Sequence, residues 1–469
     1  MNAGIIGGWY SPHPPIIIPA VGQGEEKEAQ ATIEAMQQAA AAMVDLKPET
    51  IILIGSHGPI FSDSFSLEVG PNLSGSFASF GAAGECITVT CDQSLLTAVL
   101  SVAEQKQLPL AGLTDRLKRR MNLPLSLDHG ALVPLWYLRQ AGSGDLPPLV
   151  IINVAGLPLE EHYALGVAIQ AAVQEQGKRV GIIASGDLSH RLSPVAPAGY
   201  HPEAHLFDEA VTEIFASQSP WDLARLEELG QVAGECGLRP LVVFLGCFEG
   251  LAGESKVLSY EAPWGVGYLV AWQQVSEGQG AVNLPRLLAS RQARVAEQRA
   301  NESPLVRLAR QAVETYVGEG RVLSQLPPLP AELPVRAGAF VTIYKHGQLR
   351  GCIGTTEPTC PTLAAEIVRN AISAATEDPR FYRVEPEELA SLVYSVDVLG
   401  EPEAIANEEE LDPETYGVIV ERGRRRGLLL PDLPGIDSIQ EQVRVAKLKA
   451  GIGPQEPVKL YRFTVTRFH

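Results

Sequence analysis

The sequence predicts two domains of different class: an α/β domain over residues 1–275 and a smaller α+β domain over 303–469, joined by a linker at 276–302. Three observations carry this. The 469 residues exceed what a single hydrophobic core usually organises. The first half alternates short all-apolar runs with helix-length segments, the pattern of a largely buried sheet. The second half mixes strand-like and helix-like segments without that alternation.

Ala3 to Trp9 is an apolar run of strand length, ended by the turn Ser11-Pro12-His13-Pro14-Pro15. Glu25 to Leu46 has the Ala, Met and Gln content of a helix, Lys47-Pro48-Glu49 stops it, and Ile51 to Gly55 is a second apolar strand. Strands at Pro148 to Ala155 and Arg179 to Ala184 flank a helix from Leu159 to Gln176. Near Val275 the texture changes. Ser276 to Ala281 reads as a loop, and Leu284 to Ala300 as a polar helix rich in Arg and Gln. Beyond it a helix from Pro304 to Val317 precedes a Pro-rich stretch, Leu326 to Pro334. Strands follow at Ala339 to Tyr344, Leu392 to Leu399 and Val458 to Thr466, with helices at Thr362 to Ala375 and Ile439 to Ala450.

Hydrophobic residues at 45% and charged residues at 20% exclude a disordered or collagen-like chain. Acidic residues outnumber basic ones 55 to 37, a net charge of −18, the wrong sign for a chain that wraps nucleic acid or anionic lipid. The six cysteines, Cys86, Cys91, Cys236, Cys247, Cys352 and Cys360, form no CxxC pair, which points to reduced thiols and a cytoplasmic protein. The charge-free start up to Gly24 invites a membrane reading, but Pro12, Pro14, Pro15 and Pro19 would break a spanning helix and no basic region precedes the apolar run. Neither a targeting nor a membrane segment is expected.

Seven of the nine histidines lie between positions 13 and 205. His13 follows the first strand, His57 follows Ile51 to Gly55, and His190 follows the strand ending near Ala184. In open α/β sheets the loops leaving the carboxyl ends of strands converge on one crevice. Three imidazoles there suit one Fe, Zn or Cu ion, and two His with one carboxylate leave positions open for substrate and dioxygen. Each His taken alone also suits a loop cap or hydrogen-bonding role. His201-Pro-Glu-Ala-His205 lacks the H-E-x-x-H order of a zinc protease and reads as an exposed helix start; His162 reads as a surface residue.

Ser11-Pro-His13-Pro-Pro, Gly55-Ser-His57-Gly-Pro, Asp128-His129-Gly-Ala-Leu-Val-Pro and Ser185-Gly-Asp187-Leu-Ser-His190 resemble, in order and spacing, the motifs of the LigB family of class III extradiol ring-cleavage dioxygenases and the related Memo proteins. The resemblance spans most of residues 1–272 and implies a mixed sheet with flanking helices. It also implies His13 and His57 as metal ligands, His190 as an acid/base beside dioxygen and substrate, and His129 as a hydrogen-bonding partner of a catechol-like substrate. Asp187, in the same motif, joins the catalytic candidates. A chelating catechol gives up protons that an adjacent imidazole can accept.

The third ligand stays open between neighbours. Glu235 would complete a facial triad for Fe(II) and dioxygen, the first cofactor reading. Cys236, in Cys-Gly-Leu-Arg-Pro, matches the Memo version, and a thiolate there favours Zn or Cu. A buried inert cysteine beside a surface glutamate is the remaining alternative.

In the second half, Leu349-Arg350-Gly-Cys352-Ile-Gly354-Thr355, Asp378-Pro-Arg380-Phe381, Gly427-Leu-Leu-Leu-Pro431 and Lys449-Ala-Gly-Ile closely resemble the AMMECR family over roughly residues 303–469. The likeness implies a ligand- or protein-binding cleft around Arg350, Cys352 and Arg380. Cys352 would be a nucleophile if a cation such as Arg350 lowered its pKa, and a structural thiol otherwise. Arg422-Gly-Arg-Arg-Arg426 reads as a solvated hairpin tip. The order of the two units resembles the fused proteins of the AmmeMemoRadiSam system, which implies a radical SAM enzyme as partner. Without C-x3-C-x2-C spacing, the iron–sulfur cluster of such chemistry would belong to another chain. Association with further copies of this chain is left open.

Overall fold

The computed structural model describes the whole chain except Met1, Asn2, Asp145, Gln218 to Pro220 and Pro434. The chain divides into two compact units, Met1–Ala289 and Ser290–His469.

Among the described residues the first unit is built on ten strands: β1 (Gly4–Ser11), β2 (Thr50–Gly55), β3 (Phe65–Glu68), β4 (Asn72–Phe77), β5 (Ala82–Thr90), β6 (Leu110–Leu113), β7 (Leu149–Asn153), β8 (Arg179–Ser185), β9 (Leu251–Glu261) and β10 (Tyr268–Gln279). Eight of them form one mixed sheet in the order β6-β3-β7-β2-β8-β1-β10-β9, and β4 and β5 form a separate hairpin. The centre β7-β2-β8-β1 is parallel, while β10 joins β1, and β9 joins β10, antiparallel. The continuous apolar runs follow from two covered faces. Ile52 and Ile54 of β2 enter one core, against the helices Gln93–Gln105 and Leu159–Gln176. Ile51 and Leu53 enter the other, against Gln30–Asp45 and His129–Ala141. Trp9 and Tyr10 of β1 divide the same way, and both are fully buried.

Two readings of this unit change. His162 is not at the surface: it is fully buried, with Nδ1 against the Pro158 carbonyl at 2.9 Å, Nε2 accepting the Ala155 N–H at 3.3 Å, and its ring on the edge of Phe65. Tight packing of the Leu159–Gln176 helix on the sheet closes over it. The segment expected as a loop from Ser276 continues β10 to Gln279, because β9 offers it a pairing edge that no local composition reveals.

The second unit holds β11 (Ala339–Lys345), β12 (Gln348–Gly354), β13 (Leu392–Leu399), β14 (Glu403–Ile405), β15 (Gly417–Arg422), β16 (Arg425–Leu429), β17 (Lys459–Phe463) and β18 (Val465–Phe468). They form two four-stranded antiparallel sheets, β12-β11-β13-β18 and β14-β17-β15-β16. Helices Pro304–Glu319 and Leu363–Thr376 share a core with the first sheet, and Ile439–Lys449 with the second. The single strand expected at Val458 to Thr466 is two strands in different sheets, divided at Thr464, whose carbonyl accepts the Gly400 N–H. Among the described residues, no helix is long and apolar enough to cross a membrane.

Candidate metal centre

Parallel order places β8 between β2 and β1, so the loops leaving their carboxyl ends begin side by side. His13 leaves β1 and is 2% exposed. Three residues at the end of β8 fix it. The Ser185 hydroxyl lies 2.9 Å from its Nδ1, its backbone N–H donates to Asp187 Oδ1 at 2.8 Å, and the Gly186 N–H donates to the Ser11 carbonyl at 2.9 Å. His57, two residues beyond β2, brings its Nε2 to 2.9 Å from His13 Nε2. Its loop presses Gly58 onto Asn153, where a Cβ would stand 2.0 Å from Oδ1, so a side chain at 58 would displace the loop.

Cys236 completes the group from the turn before the helix Leu238–Cys247. Its Sγ lies 3.5 Å from His13 Nε2 and accepts the Asp187 N–H at 3.3 Å. One ligand atom from each of His13, His57 and Cys236 lies within 4.8 Å of the others, the one such group among the described residues. Glu235 points elsewhere: its Oε2 accepts the Leu238 N–H at 2.6 Å and so occupies the open start of the helix. Burial pushes its carboxyl up to about 7.

His129 opens the helix His129–Ala141, capped by Asp128, whose Oδ1 accepts the Ala131 N–H. Its ring centroid is 4.3 Å from that of His57 and 5.3 Å from that of His13, and Phe80 from the β4–β5 turn meets it edge-on at 5.6 Å. Gly130 admits this crowding, since a Cβ there would meet Asp128 Oδ1 at 2.9 Å, His57 Cδ2 at 3.4 Å and His13 Nδ1 at 3.5 Å. His190 donates its Nδ1–H to the Gly234 carbonyl at 2.6 Å, because a carbonyl can only accept. Its Nε2 is therefore a proton acceptor.

Burial keeps all four imidazoles neutral. It lowers His13 furthest, helped by the neighbouring His57, His129 and His190; it lowers His57 and His190, and takes His129 down to about 4. Neutral imidazoles are the metal-binding form. Burial raises the Cys236 thiol, with Asp187 adding to it, and Asp187 itself is pushed up to about 7. A cation among them would reverse both shifts. The two separations that involve His13 fit one. Two nitrogens bound at about 2.05 Å lie about 2.9 Å apart at a right angle and about 3.3 Å apart in a tetrahedron, and a nitrogen and a thiolate about 3.6 Å apart. The observed separations are 2.9 Å and 3.5 Å.

In the second unit, a cavity of 1060 Å³ is lined by Cys352, Arg380, Lys449 and Arg467 over an apolar floor that includes Phe340 and Leu430. Arg350 is not among its lining residues: it clamps Glu388 with two hydrogen bonds of 3.0 and 2.8 Å. The Cys352 pKa is raised by burial, against the pull of the Thr342 hydroxyl and Arg380, so the activation considered for Arg350 is absent from this thiol's surroundings. Arg380 grips Asp378, which accepts the Cys352 N–H at 2.9 Å. The arginine cluster is a hairpin tip turned at Gly423, with Arg422 and Arg425 on Glu456 and Arg426 on Glu357.

Sequence reasoning reached the imidazoles but gave Ser185 and Gly130 no role. Ser185 stood inside a quoted motif; the signal that could have found it is a hydroxyl at the carboxyl end of a strand adjoining the one that delivers His13.

Residues 7–271 match the family described as the catalytic LigB subunit of aromatic ring-opening dioxygenase, and residues 306–468 match AMMECR1. A Clostridium acetobutylicum protein is 36% identical over 98% of this chain and 99% of its own length. A Thermotoga maritima protein is 54% identical over 36% of this chain and 98% of its own. Among solved structures, an uncharacterised Pyrococcus horikoshii protein covers 35% of this chain and 88% of its own at 36% identity and a TM-score of 0.33. An uncharacterised Escherichia coli protein covers 57% and 99% at 16% identity and a TM-score of 0.40.

Proposed function

The chain belongs to the LigB family through residues 7–271 and carries an AMMECR1 domain at 306–468, and from that premise we propose that its first unit is a mononuclear metal protein for a small chelating, catechol-like ligand. The observation that carries this is the convergence of His13, His57 and Cys236 within 4.8 Å beside two further neutral imidazoles. When bound, the metal supplies a Lewis acid that acidifies a coordinated hydroxyl. His190, with Nδ1–H committed to Gly234, accepts the released proton at Nε2 and holds it close to the developing charge. His129 offers a neutral hydrogen-bonding ring, with Phe80 against it. Two imidazoles and a thiolate suit Zn or Cu, and a binding role without redox chemistry.

Ring cleavage with Fe(II) is the second reading, favoured by Asp187. Its Oδ2 lies 3.9 Å from His13 Nε2, and its carboxylate would supply the oxygen donor that Glu235 withholds. Anaerobic purification, metal analysis and oxygen uptake over a catechol panel decide between them. Zinc or copper at one per chain, with catechol binding but no uptake, supports the first. Iron with catechol-dependent uptake replaces it with the second, and a metal-free protein that takes up none overturns both. A separate radical SAM protein is the proposed partner, as the resemblance of the two-unit order to the fused AmmeMemoRadiSam proteins implies; without C-x3-C-x2-C spacing here, its cluster would belong to that other chain. Reconstitution of the two proteins and co-elution would test it.

A further inference from the structure

We propose that Ser185 is a positioning residue that sets the ring tautomer of His13 and thereby turns the Nε2 lone pair toward the metal; this rests on the metal reading above. The chain of donors is determined by counting protons. The Ser185 hydroxyl has one proton and lies 2.5 Å from the Gly130 carbonyl, which can only accept. That proton is therefore spent on Gly130, and the 2.9 Å contact with His13 Nδ1 must be an Nδ1–H donating to the serine oxygen. A neutral imidazole carries one N–H, so Nε2 is left as a bare lone pair. It faces His57 Nε2 at 2.9 Å and Cys236 Sγ at 3.5 Å, the two other donors of the group.

Everything in this relay is buried. Ser185 is 0% exposed and His13 2%, so no water competes for either side of the hydroxyl. The strand that carries Ser185 continues directly into Asp187, which holds the His13 backbone through Oδ1 and the Cys236 sulfur through its own N–H. Ring, backbone and sulfur are thus oriented from a single three-residue stretch. Gly130 is the residue after His129, so the hydroxyl also ties the His13 ring to the helix that brings His129 to the crevice. The opposite tautomer would place Nδ1 and a hydroxyl already committed as a donor lone pair to lone pair at 2.9 Å, and would put a proton where the metal belongs.

The test uses the full chain with ¹⁵N-labelled histidine. In metal-free wild-type protein at pH 7.5, long-range proton–nitrogen spectra, assigned with His13→Gln, are expected to show His13 protonated at Nδ1 and bare at Nε2. In Ser185→Ala the pattern is expected to shift toward Nε2–H. Zn(II) affinity, measured by competition with a chelating dye, is expected to weaken 10- to 100-fold, about the range for loss of an outer hydrogen bond to a ligand. A wild-type His13 protonated at Nε2 overturns the proposal, as does a folded Ser185→Ala protein with unchanged tautomer and affinity. If the variant does not fold, the wild-type spectrum decides alone. A wild-type protein that binds no Zn(II), Cu or Fe(II) ends the metal reading, while its spectrum still decides the tautomer.

Discussion

Two cysteines invite comparison, Cys236 in the first unit and Cys352 in the second. Burial raises both thiols, and a backbone N–H or hydroxyl approaches each sulfur. They differ in what else converges. Around Cys236 the neighbours are imidazole nitrogens, His13 Nε2 at 3.5 Å and, 2.9 Å from that, His57 Nε2, donor atoms that can share a proton or a cation. Around Cys352 they are an arginine already spent on Asp378 and a threonine hydroxyl that donates to the sulfur. A raised thiol is therefore not by itself a sign of function; the convergence of metal-ligating atoms beside it is.

The largest effect should separate these two sulfurs and the two adjacent ligand candidates. Cys236→Ala is expected to lose metal by more than the about 10- to 100-fold typical of an outer-shell change. Glu235→Gln and Cys352→Ala should retain it, since the Gln amide oxygen can still accept the Leu238 N–H at the helix start. Metal analysis after dialysis, with urea unfolding alongside, checks all three. Metal loss in Glu235→Gln with retention in Cys236→Ala would reverse the assignment.

Next comes Gly130→Ala, which drives a methyl group toward the His13 and His57 rings. A cost of about 1–3 kcal/mol is expected from overpacking, together with weaker Zn(II) binding. The equivalent change at exposed Gly84, where a Cβ meets nothing within 4 Å, serves as a control for metal affinity.

A buried histidine outside the donor group sharpens the comparison further. His162 is held neutral, its pKa taken down to about 3 by burial, against an ordinary value of 6.5. The unfolded chain binds the proton first, so its contribution to stability is complete above pH 6.5 and falls away as the pH drops toward 3. At pH 5 the loss is about 2 kcal/mol, of the order expected for one and a half pH units. His162→Gln should flatten this part of the pH dependence in urea unfolding between pH 7.5 and 5; an unchanged slope would refute it. The smallest effect belongs to Arg426→Ala at the hairpin tip, where a partly exposed pair with Glu357 is worth 0 to about 1 kcal/mol. A larger shift in thermal midpoint than the His162 variant shows would mean the tip is not merely solvated.

How much was legible follows the range of the interactions. The parallel core strands and the helix Leu159–Gln176 could be read because burial leaves continuous apolar runs and regular apolar positions along the chain, and the helix Leu284–Ala300 because its Arg- and Gln-rich composition favours a helix. The β4–β5 hairpin, which carries Phe80, was not read: β4 is short and interrupted by Ser74-Gly75-Ser76, and the longer β5 is exposed over most of its length. His162 misled because a polar residue in a helix usually faces water, and only the packed sheet showed its two hydrogen bonds to be satisfied inside.

The sequence by itself determined the two-domain order and the delivery of His13, His57 and His190 to one sheet edge. Strand, loop and histidine are neighbours along the chain, and parallel sheets have a fixed carboxyl end. Only the tertiary structure chose between Glu235 and Cys236 as the donor facing those imidazoles. Successive residues at a turn point in different directions, and which one meets His13 depends on how the helix Leu238–Cys247 docks against β8. The proton on His13 is decided the same way, by a hydroxyl 172 residues away.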